Sequence, residues 1–267
     1  MKILAVDYDG VISDSALKSL FISHNVYCKY FGSKVKRNFG GELFTFENWE
    51  EMQKQYKKEM DYYYRLRSYL ELSGDFFVII KTVEEQIQIN NQQEFIAYRN
   101  RLQFDYQFFR ELFFQEKEKW QKKSFQKWFS LSPVFKEVIK GIRQFSKEGK
   151  KIVIATSNLG KAIHRAFQPE YLGFEMDIGD IFDKNFGKHK AEHMQAIAKK
   201  YGAKLNEIYF IDDQLSYLKG TDALGVRVFL AGWGYCTESQ KEEARKERIP
   251  IIEEEKDFYP VLKQALS

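Results

Sequence analysis

Residues 3–10 read ILAVDYDG, in which four apolar residues are followed directly by two acidic residues and a glycine. A short apolar run that ends in turn-forming residues is typical of a buried strand in a parallel sheet. Gly10 allows the backbone to turn sharply beside Asp7 and Asp9. In an open α/β sheet this edge is where ligands bind, so the two carboxylates are candidate functional groups. Asp is also common in solvated loops and at helix N-termini, and the pair alone does not separate these interpretations.

Three later segments repeat this design, with predicted helices between them. They read IVIATSN at 152–158, IYFIDD at 208–213 and VRVFL at 226–230. Strands separated by helices predict a parallel sheet with right-handed crossovers, in which the carboxyl ends of the strands meet at one edge. We therefore predict an α/β fold with a doubly wound, mostly parallel, Rossmann-like core. At its edge we expect these side chains to be neighbours: Asp7, Asp9, Thr156, Asp212 and Asp213.

Residues 15–130 differ in composition from the rest of the chain. They contain no proline and more than half of the aromatic residues, and apolar residues recur every three or four positions. This spacing predicts several amphipathic helices whose aromatic stripes form a core. Residues 76–80 are compatible with either a short strand or a buried helical turn. The predicted domains are therefore an α/β core of residues 1–14 and 131–267 and an inserted all-α domain of residues 15–130.

The composition excludes several classes of protein. The 267 residues are 44% hydrophobic and 30% charged, and the net charge of +4 is spread along the chain, so neither a nucleic-acid partner nor a membrane partner is expected. No apolar run approaches the roughly 18 residues of a transmembrane helix. Cys28 and Cys236 lie far apart without metal-like spacing, which favours free thiols and a cytoplasmic protein. Oligomeric state is left open.

Four carboxylates at one edge require a compensating cation. At a separation of ~4 Å each pair repels by about 4 kcal/mol at an effective dielectric constant near 20. Oxygen ligands without histidine or cysteine favour Mg²⁺. With a metal bound, one Asp could attack phosphorus while the second, two residues on, protonates the leaving oxygen. Thr156, Ser157 and a lysine, either Lys188 or Lys190, would bind the phosphoryl oxygens.

These motifs and their order resemble the haloacid dehalogenase superfamily of phosphatases. The matching elements are DYDGV at 7–11, IVIAT at 152–156, Lys188 or Lys190, and IDD at 211–213. The insert is similar to the helical cap of the phosphoglycolate phosphatase and β-phosphoglucomutase subfamily. The resemblance therefore implies that residues 15–130 form a cap domain. Of the two lysines, Lys190 is slightly preferred because it leads directly into a predicted helix.

The resemblance also implies a role for each acidic residue. Asp7 would be the nucleophile and Asp9 the general acid and base, while Mg²⁺ would be bound by Asp7, the backbone carbonyl of Asp9 and Asp213, with Asp212 acting through water. The expected activity is Mg²⁺-dependent hydrolysis of a small phosphorylated metabolite through an aspartyl-phosphate. A phosphomutase of the same family and a non-catalytic phospho-acceptor or regulatory module are the alternatives. Asp9 favours turnover, because a phospho-acceptor does not need a second acid at that position.

Overall fold

The computed structural model describes residues 1–31, 39–187 and 189–267. Within these ranges the chain divides into two compact units, one of residues 1–14 and 133–267 and one of residues 15–132. We call the first the α/β unit and the second the helical unit. Among the helices in these ranges, none combines the length and the apolar character needed to cross a bilayer.

The α/β unit is built on a six-stranded sheet in which all paired strands are parallel. The strands are β1 (Ile3–Val6), β2 (Lys151–Ala155), β3 (Ile181–Phe182), β4 (Ile208–Asp212), β5 (Arg227–Ala231) and β6 (Ile251–Ile252). Their order in the sheet is β3-β2-β1-β4-β5-β6. All four residues of β1 are buried, which explains why this central strand is a continuous apolar run. The predicted α/β fold is confirmed.

The two edge strands were not predicted from the sequence. β3 and β6 contain two residues each, and each pairs with a single neighbour. Two residues are too few to show an apolar pattern, so these strands are defined by pairing with β2 and β5 rather than by their own sequence.

The helical unit contains seven α-helices in its described residues. These are α1 (Ala16–Tyr30), α2 (Trp49–Gln55), α3 (Lys57–Leu66), α4 (Asp75–Glu84), α5 (Gln92–Arg101), α6 (Tyr106–Lys123) and α7 (Phe125–Ser130). Aromatic side chains from different helices meet in its core, where the ring of Phe21 lies 5.0 Å from that of Trp120 and 5.3 Å from that of Trp49. The aromatic stripes of the sequence therefore form a core, as predicted.

The structure resolves the ambiguity at residues 76–80, which belong to α4. All five side chains are buried, because α4 packs against α1, α3, α5 and α6. A helix that is covered on several sides has no polar face, so its sequence resembles a buried strand. The long apolar series between residues 46 and 70 is divided at Tyr56, whose φ of −112° and ψ of 34° separate α2 from α3.

Helices cover the sheet of the α/β unit. They are α8 (Lys136–Lys147), α9 (Gly160–Ala166), α10 (Lys190–Tyr201), α11 (Leu215–Asp222), α12 (Glu238–Lys246) and α13 (Phe258–Leu266). Because side chains alternate along a strand, Ile3 and Ala5 of β1 belong to one core, together with Met194 of α10 and Leu218 of α11. Elsewhere α8 packs against β2 and α13.

Candidate active site

The carboxyl ends of β1, β2 and β4 meet at one edge of the sheet. Val6 lies opposite Ile154 of β2 on one side and Ile211 of β4 on the other. The residues that follow these strands are therefore neighbours, although the end of β1 is about 150 positions from that of β2 and about 200 from that of β4 in the chain. The Asp7 backbone N–H donates to the carbonyl oxygen of Ile211 over 3.0 Å, which extends the β1–β4 pairing up to the first acidic residue.

The loop after β1 is a tight turn. The backbone N–H of Ser13 donates to the carbonyl of Tyr8 over 3.0 Å, and that of Gly10 donates to the carbonyl of Ser13 over 2.8 Å. Gly10 has a φ of +91°, a backbone conformation that side chains with a Cβ rarely adopt. The turn fixes Asp7 and Asp9 at the sheet edge.

Three of the predicted acidic side chains come together at this edge. Asp7, Asp212 and Asp213 are all buried, and one oxygen from each lies within 4.8 Å of the other two. The Gln214 backbone N–H donates to Oδ1 of Asp212 over 2.9 Å, whereas Oδ2 of Asp212 is buried and has no hydrogen-bond partner among the described residues. This oxygen forms an ion pair with the Lys190 ammonium at 3.2 Å but accepts no hydrogen bond from a described residue, so its capacity to bind a cation is only partly used.

Two glycines allow the backbone to approach Asp213 closely. A Cβ at Gly10 would lie 2.3 Å from Oδ2 of Asp213, and a Cβ at Gly234 would lie 2.3 Å from Cβ of Asp213. The backbone N–H of Tyr235 donates to Oδ2 of Asp213 over 2.8 Å. The loop after β5 therefore positions this carboxylate, and no residue larger than glycine fits on either side of it.

Lys190, the first residue of α10, is the cation nearest to the acids within the described ranges. Its buried Nζ lies 2.5 Å from Oδ1 of Asp7, 2.6 Å from the carbonyl oxygen of Ala155 and 3.2 Å from Oδ2 of Asp212. It therefore connects the ends of β1, β2 and β4. Lys188, the alternative lysine, lies outside the described residues.

The pKa values of Asp7 and Lys190 are both raised, for different reasons. Burial, opposed by the Lys190 ammonium and assisted by repulsion from Asp212 and Asp9, raises the pKa of Asp7 to about 7. Burial disfavours the charged form of Lys190, but the carboxylates of Asp7 and Asp212 outweigh it and raise the pKa of Lys190 above its usual range. Lys190 is therefore charged, and the protonation of Asp7 depends on how well its negative charge is compensated.

The end of β2 contributes polar groups next to Asp9. Asn158 donates from Nδ2 to Oδ2 of Asp9 over 3.1 Å, and its backbone N–H donates to Oγ1 of Thr156 over 3.1 Å. Thr156 is fully buried and Ser157 is exposed. Asn158 thus connects the predicted phosphate-binding segment to Asp9, whose carboxylate is only partly buried.

The donor set fits a hard divalent cation. Three carboxylates face one ammonium group, so the edge carries an excess of negative charge, and every candidate ligand in the cluster is an oxygen atom. Mg²⁺ in proteins is bound by oxygen atoms, and carboxylates among them partly neutralise its charge.

Sequence reasoning missed three residues of this site. Asn158, Gly234 and Tyr235 contact Asp9 or Asp213, but none carries a charge that would attract attention in a sequence. The position of Asn158 at a predicted strand end was the available signal for that residue. For the loop at residues 232–235, the two glycines around Trp233 indicated a close backbone approach without indicating what is approached.

The fold and the acidic edge define a class of protein, an open α/β protein whose ligand site is formed by aspartates at the ends of parallel strands. The family model of haloacid dehalogenase-like hydrolases matches residues 1–220. The chain belongs to this family, and it is an enzyme of the hydrolase class.

Solved structures with low sequence identity share the fold. A hydrolase from Pseudomonas syringae has a TM-score of 0.57 at 15% identity, with 100% of both chains covered. A predicted phosphatase from Clostridium acetobutylicum has a TM-score of 0.59 at 12% identity, with 98% of both chains covered. A predicted phosphoglycolate phosphatase from Haemophilus somnus has a TM-score of 0.57 at 15% identity, covering 99% of this chain and 98% of that one. No curated protein sequence matches this chain significantly.

Proposed function

We propose that this hydrolase cleaves phosphate monoesters of small metabolites in a Mg²⁺-dependent reaction through a phosphorylated Asp7. The observation that carries the proposal is the placement of Asp7. It is a buried carboxylate at the end of the central strand, 2.5 Å from the Lys190 ammonium and beside Asp212 and Asp213. A nucleophile needs burial and a compensating positive charge, and this carboxylate has both.

The two acids on the β1 loop have separate roles in the proposed reaction. An Asp7 carboxylate oxygen attacks phosphorus, the bond to the ester oxygen breaks, and Asp9 transfers a proton to the departing alkoxide. In the second half a water attacks the phosphorus of phospho-Asp7, Asp9 accepts its proton, and inorganic phosphate leaves as the Asp7 carboxylate is restored. The hydrogen bond from Asn158 orients Asp9 for both transfers.

Positive charge stabilises the phosphoryl group in this proposal. Lys190 is charged and touches Asp7, so it lies where phosphoryl oxygens would arrive, and the end of β2 at Thr156 and Ser157 supplies polar groups beside it. Mg²⁺, when bound to Asp7, Asp213 and the backbone carbonyl of Asp9, with Asp212 acting through water, supplies further charge compensation. The mutual approach of the Asp7, Asp212 and Asp213 carboxylates and the glycine-lined position of Asp213 support this assignment.

The proposal is tested by measuring phosphate release from a panel of phosphomonoesters with and without Mg²⁺. Asp7→Asn keeps the shape of the side chain and removes the nucleophilic carboxylate, so we expect a loss of at least about 10³-fold in rate. Asp222→Asn, at an exposed position at the end of α11, is the matched control and should retain full activity. An Asp7→Asn variant that keeps its rate would contradict the proposed role of Asp7.

Acid quenching and peptide mass spectrometry separate this activity from the alternatives. The phosphatase should show a transient phosphoryl group on the peptide that contains Asp7, together with steady release of phosphate. A stable phosphoryl group without turnover would indicate a phospho-acceptor module. Conversion of a sugar phosphate to its isomer without phosphate release would indicate a phosphomutase.

A further inference from the structure

The helical unit contains a second group of metal-binding side chains that the proposed reaction does not use. His24 and Cys28 lie one turn apart on α1, and Glu84 is the last residue of α4. His24 is fully buried and Glu84 is 2% exposed, while Cys28 is partly exposed. One ligand atom from each of the three lies within 4.8 Å of the other two.

The distance between His24 and Glu84 is close to the spacing of two ligands in a tetrahedral zinc site. Nδ1 of His24 lies 3.2 Å from Oε1 of Glu84 and 3.8 Å from Sγ of Cys28. With Zn–N and Zn–O bonds of about 2.0–2.2 Å and a Zn–S bond of about 2.3 Å, ligand atoms in a tetrahedral site are roughly 3.3–3.6 Å apart. The carboxylate of Glu84 needs only a small shift to share a metal with Nδ1. Sγ of Cys28 lies 3.4 Å from Nε2, closer than to Nδ1, so the Cys28 side chain has to rotate toward Nδ1 and Glu84 to complete the site.

The second nitrogen of His24 is already oriented as in a metal-binding histidine. Nε2 lies 2.7 Å from the carbonyl oxygen of Glu42, to which it can donate when Nδ1 binds a metal. The ring stacks on Phe44 with centroids 4.1 Å apart and meets the edge of Phe39 at 5.2 Å. Donation of the other ring N–H to a carbonyl oxygen and a fixed ring plane are the features that prepare a histidine to bind a metal.

We propose that Nδ1 of His24, Sγ of Cys28 and the carboxylate of Glu84 bind a borderline divalent cation, Zn²⁺, in the helical unit. Thiolate and imidazole ligands select Zn²⁺ over Mg²⁺, so this site differs in chemistry from the acidic edge of the α/β unit. Binding releases the protons of His24 Nδ1 and of the Cys28 thiol. The metal would connect α1 to α4, and the partly exposed side of Cys28 provides access.

The same side chains could instead form a buried ion pair without a metal. Both nitrogens of His24 face acceptors, and although burial disfavours the charged ring, hydrogen bonds with Cys28 and Glu84 raise the pKa of His24 to about 9. An ion pair needs no thiolate ligand, so the two interpretations differ in what happens to Cys28.

Titration of the full chain with Co²⁺ distinguishes them, with excess Mg²⁺ present to occupy oxygen sites. We expect a near-ultraviolet thiolate-to-cobalt charge-transfer band that Zn²⁺ abolishes by displacement. Cys28→Ser should lose this band, and Cys236→Ser, which removes the other thiol of the chain, should retain it. Glu84→Gln should weaken Co²⁺ binding by more than about 10-fold. Loss of a residue that only hydrogen-bonds to a metal ligand already weakens binding by about 10-fold or more, and loss of a ligand should cost at least as much.

A second measurement uses the unmodified sequence and so avoids any folding defect of a variant. Zn²⁺ should slow alkylation of Cys28 by iodoacetamide while alkylation of Cys236, followed by peptide mass spectrometry in the same sample, stays unchanged. Absence of the charge-transfer band, its survival in Cys28→Ser, or equal alkylation of Cys28 with and without Zn²⁺ would overturn the proposal. None of these readouts depends on phosphatase activity.

Discussion

Substitution of Gly234 by alanine tests whether the loop after β5 positions Asp213, the proposed metal ligand. An added Cβ would lie 2.3 Å from Cβ of Asp213 and 2.6 Å from the carbonyl oxygen of Gly10. Ordinary contacts begin at 3.4 Å, so Asp213 and the β1 turn would have to separate from the loop by about 1 Å. Neither neighbour is the free end of a flexible side chain, so this shift cannot be absorbed by a change of rotamer.

The displacement predicts two measurable losses. Overpacking of a tight contact costs about 1–3 kcal/mol, which urea denaturation measures as a lower free energy of unfolding. A misplacement of about 1 Å in the groups that position a reaction can cost about 10²-fold in rate, which phosphate release at saturating Mg²⁺ would show as a lower kcat.

Gly220→Ala is the matched control for this substitution. Gly220 lies inside α11, and a Cβ there would meet nothing within 4 Å. Alanine in a helix interior should raise the free energy of unfolding by about 0.5–1 kcal/mol and leave the rate unchanged. If Gly234→Ala were as stable and as active as Gly220→Ala, the positioning role of the loop would be refuted.

Three further substitutions give distinct outcomes. Burial, with the nearby charge of Lys190, lowers the pKa of His193 from 6.5 to about 4, so on acidification the unfolded chain takes up this proton before the folded protein does. The free energy of unfolding should therefore fall by about 2 kcal/mol between pH 7 and pH 5. Urea denaturation of a His193→Gln variant should lack this part of the pH dependence. Tyr235→Phe removes the hydroxyl that donates to Asp14 over 2.7 Å and should lower the free energy of unfolding by about 1 kcal/mol. The Mg²⁺ dependence of the rate should change little, because the backbone N–H of residue 235 still donates to Asp213. A shifted Mg²⁺ dependence would assign the hydroxyl a larger role. Asn158→Ala removes the hydrogen bond from Asn158 to the Asp9 carboxylate and should lower kcat by at least about 10-fold in steady-state assays. An unchanged kcat would show that other contacts orient Asp9.

The central strands could be predicted because burial on both faces makes them recognisable without their neighbours. β1, β2 and β4 are apolar runs that end in polar residues, and their pairing follows from the alternation with helices. β3 and β6 have no such pattern, since a two-residue edge strand exists only where the adjacent strand offers backbone partners. α4 could not be identified for a different reason. It is buried among other helices, so its sequence lacks the alternation of apolar and polar residues that marks an amphipathic helix.

The acidic residues of the site could also be placed from sequence, because parallel strands all end at one edge. Which oxygen faces which cation could not be predicted. Lys190 rather than Lys188 was preferred because it leads into a helix, and the structure places the Lys190 ammonium against Asp7. The role of Asn158 could not be predicted, because it depends on the hydrogen bond that its side-chain amide donates to Asp9.

Residues 3–10 by themselves determined that the chain begins its sheet with a buried strand and that two carboxylates follow it. Local composition is sufficient for this, because an apolar run buries itself and a glycine permits the turn. Only the tertiary structure decided that Asp213 lies between Gly10 and Gly234 and that Oδ2 of Asp212 lies 3.2 Å from the Lys190 ammonium. Those features depend on backbones that are distant in the chain and approach to within contact distance, and no local pattern encodes such an approach.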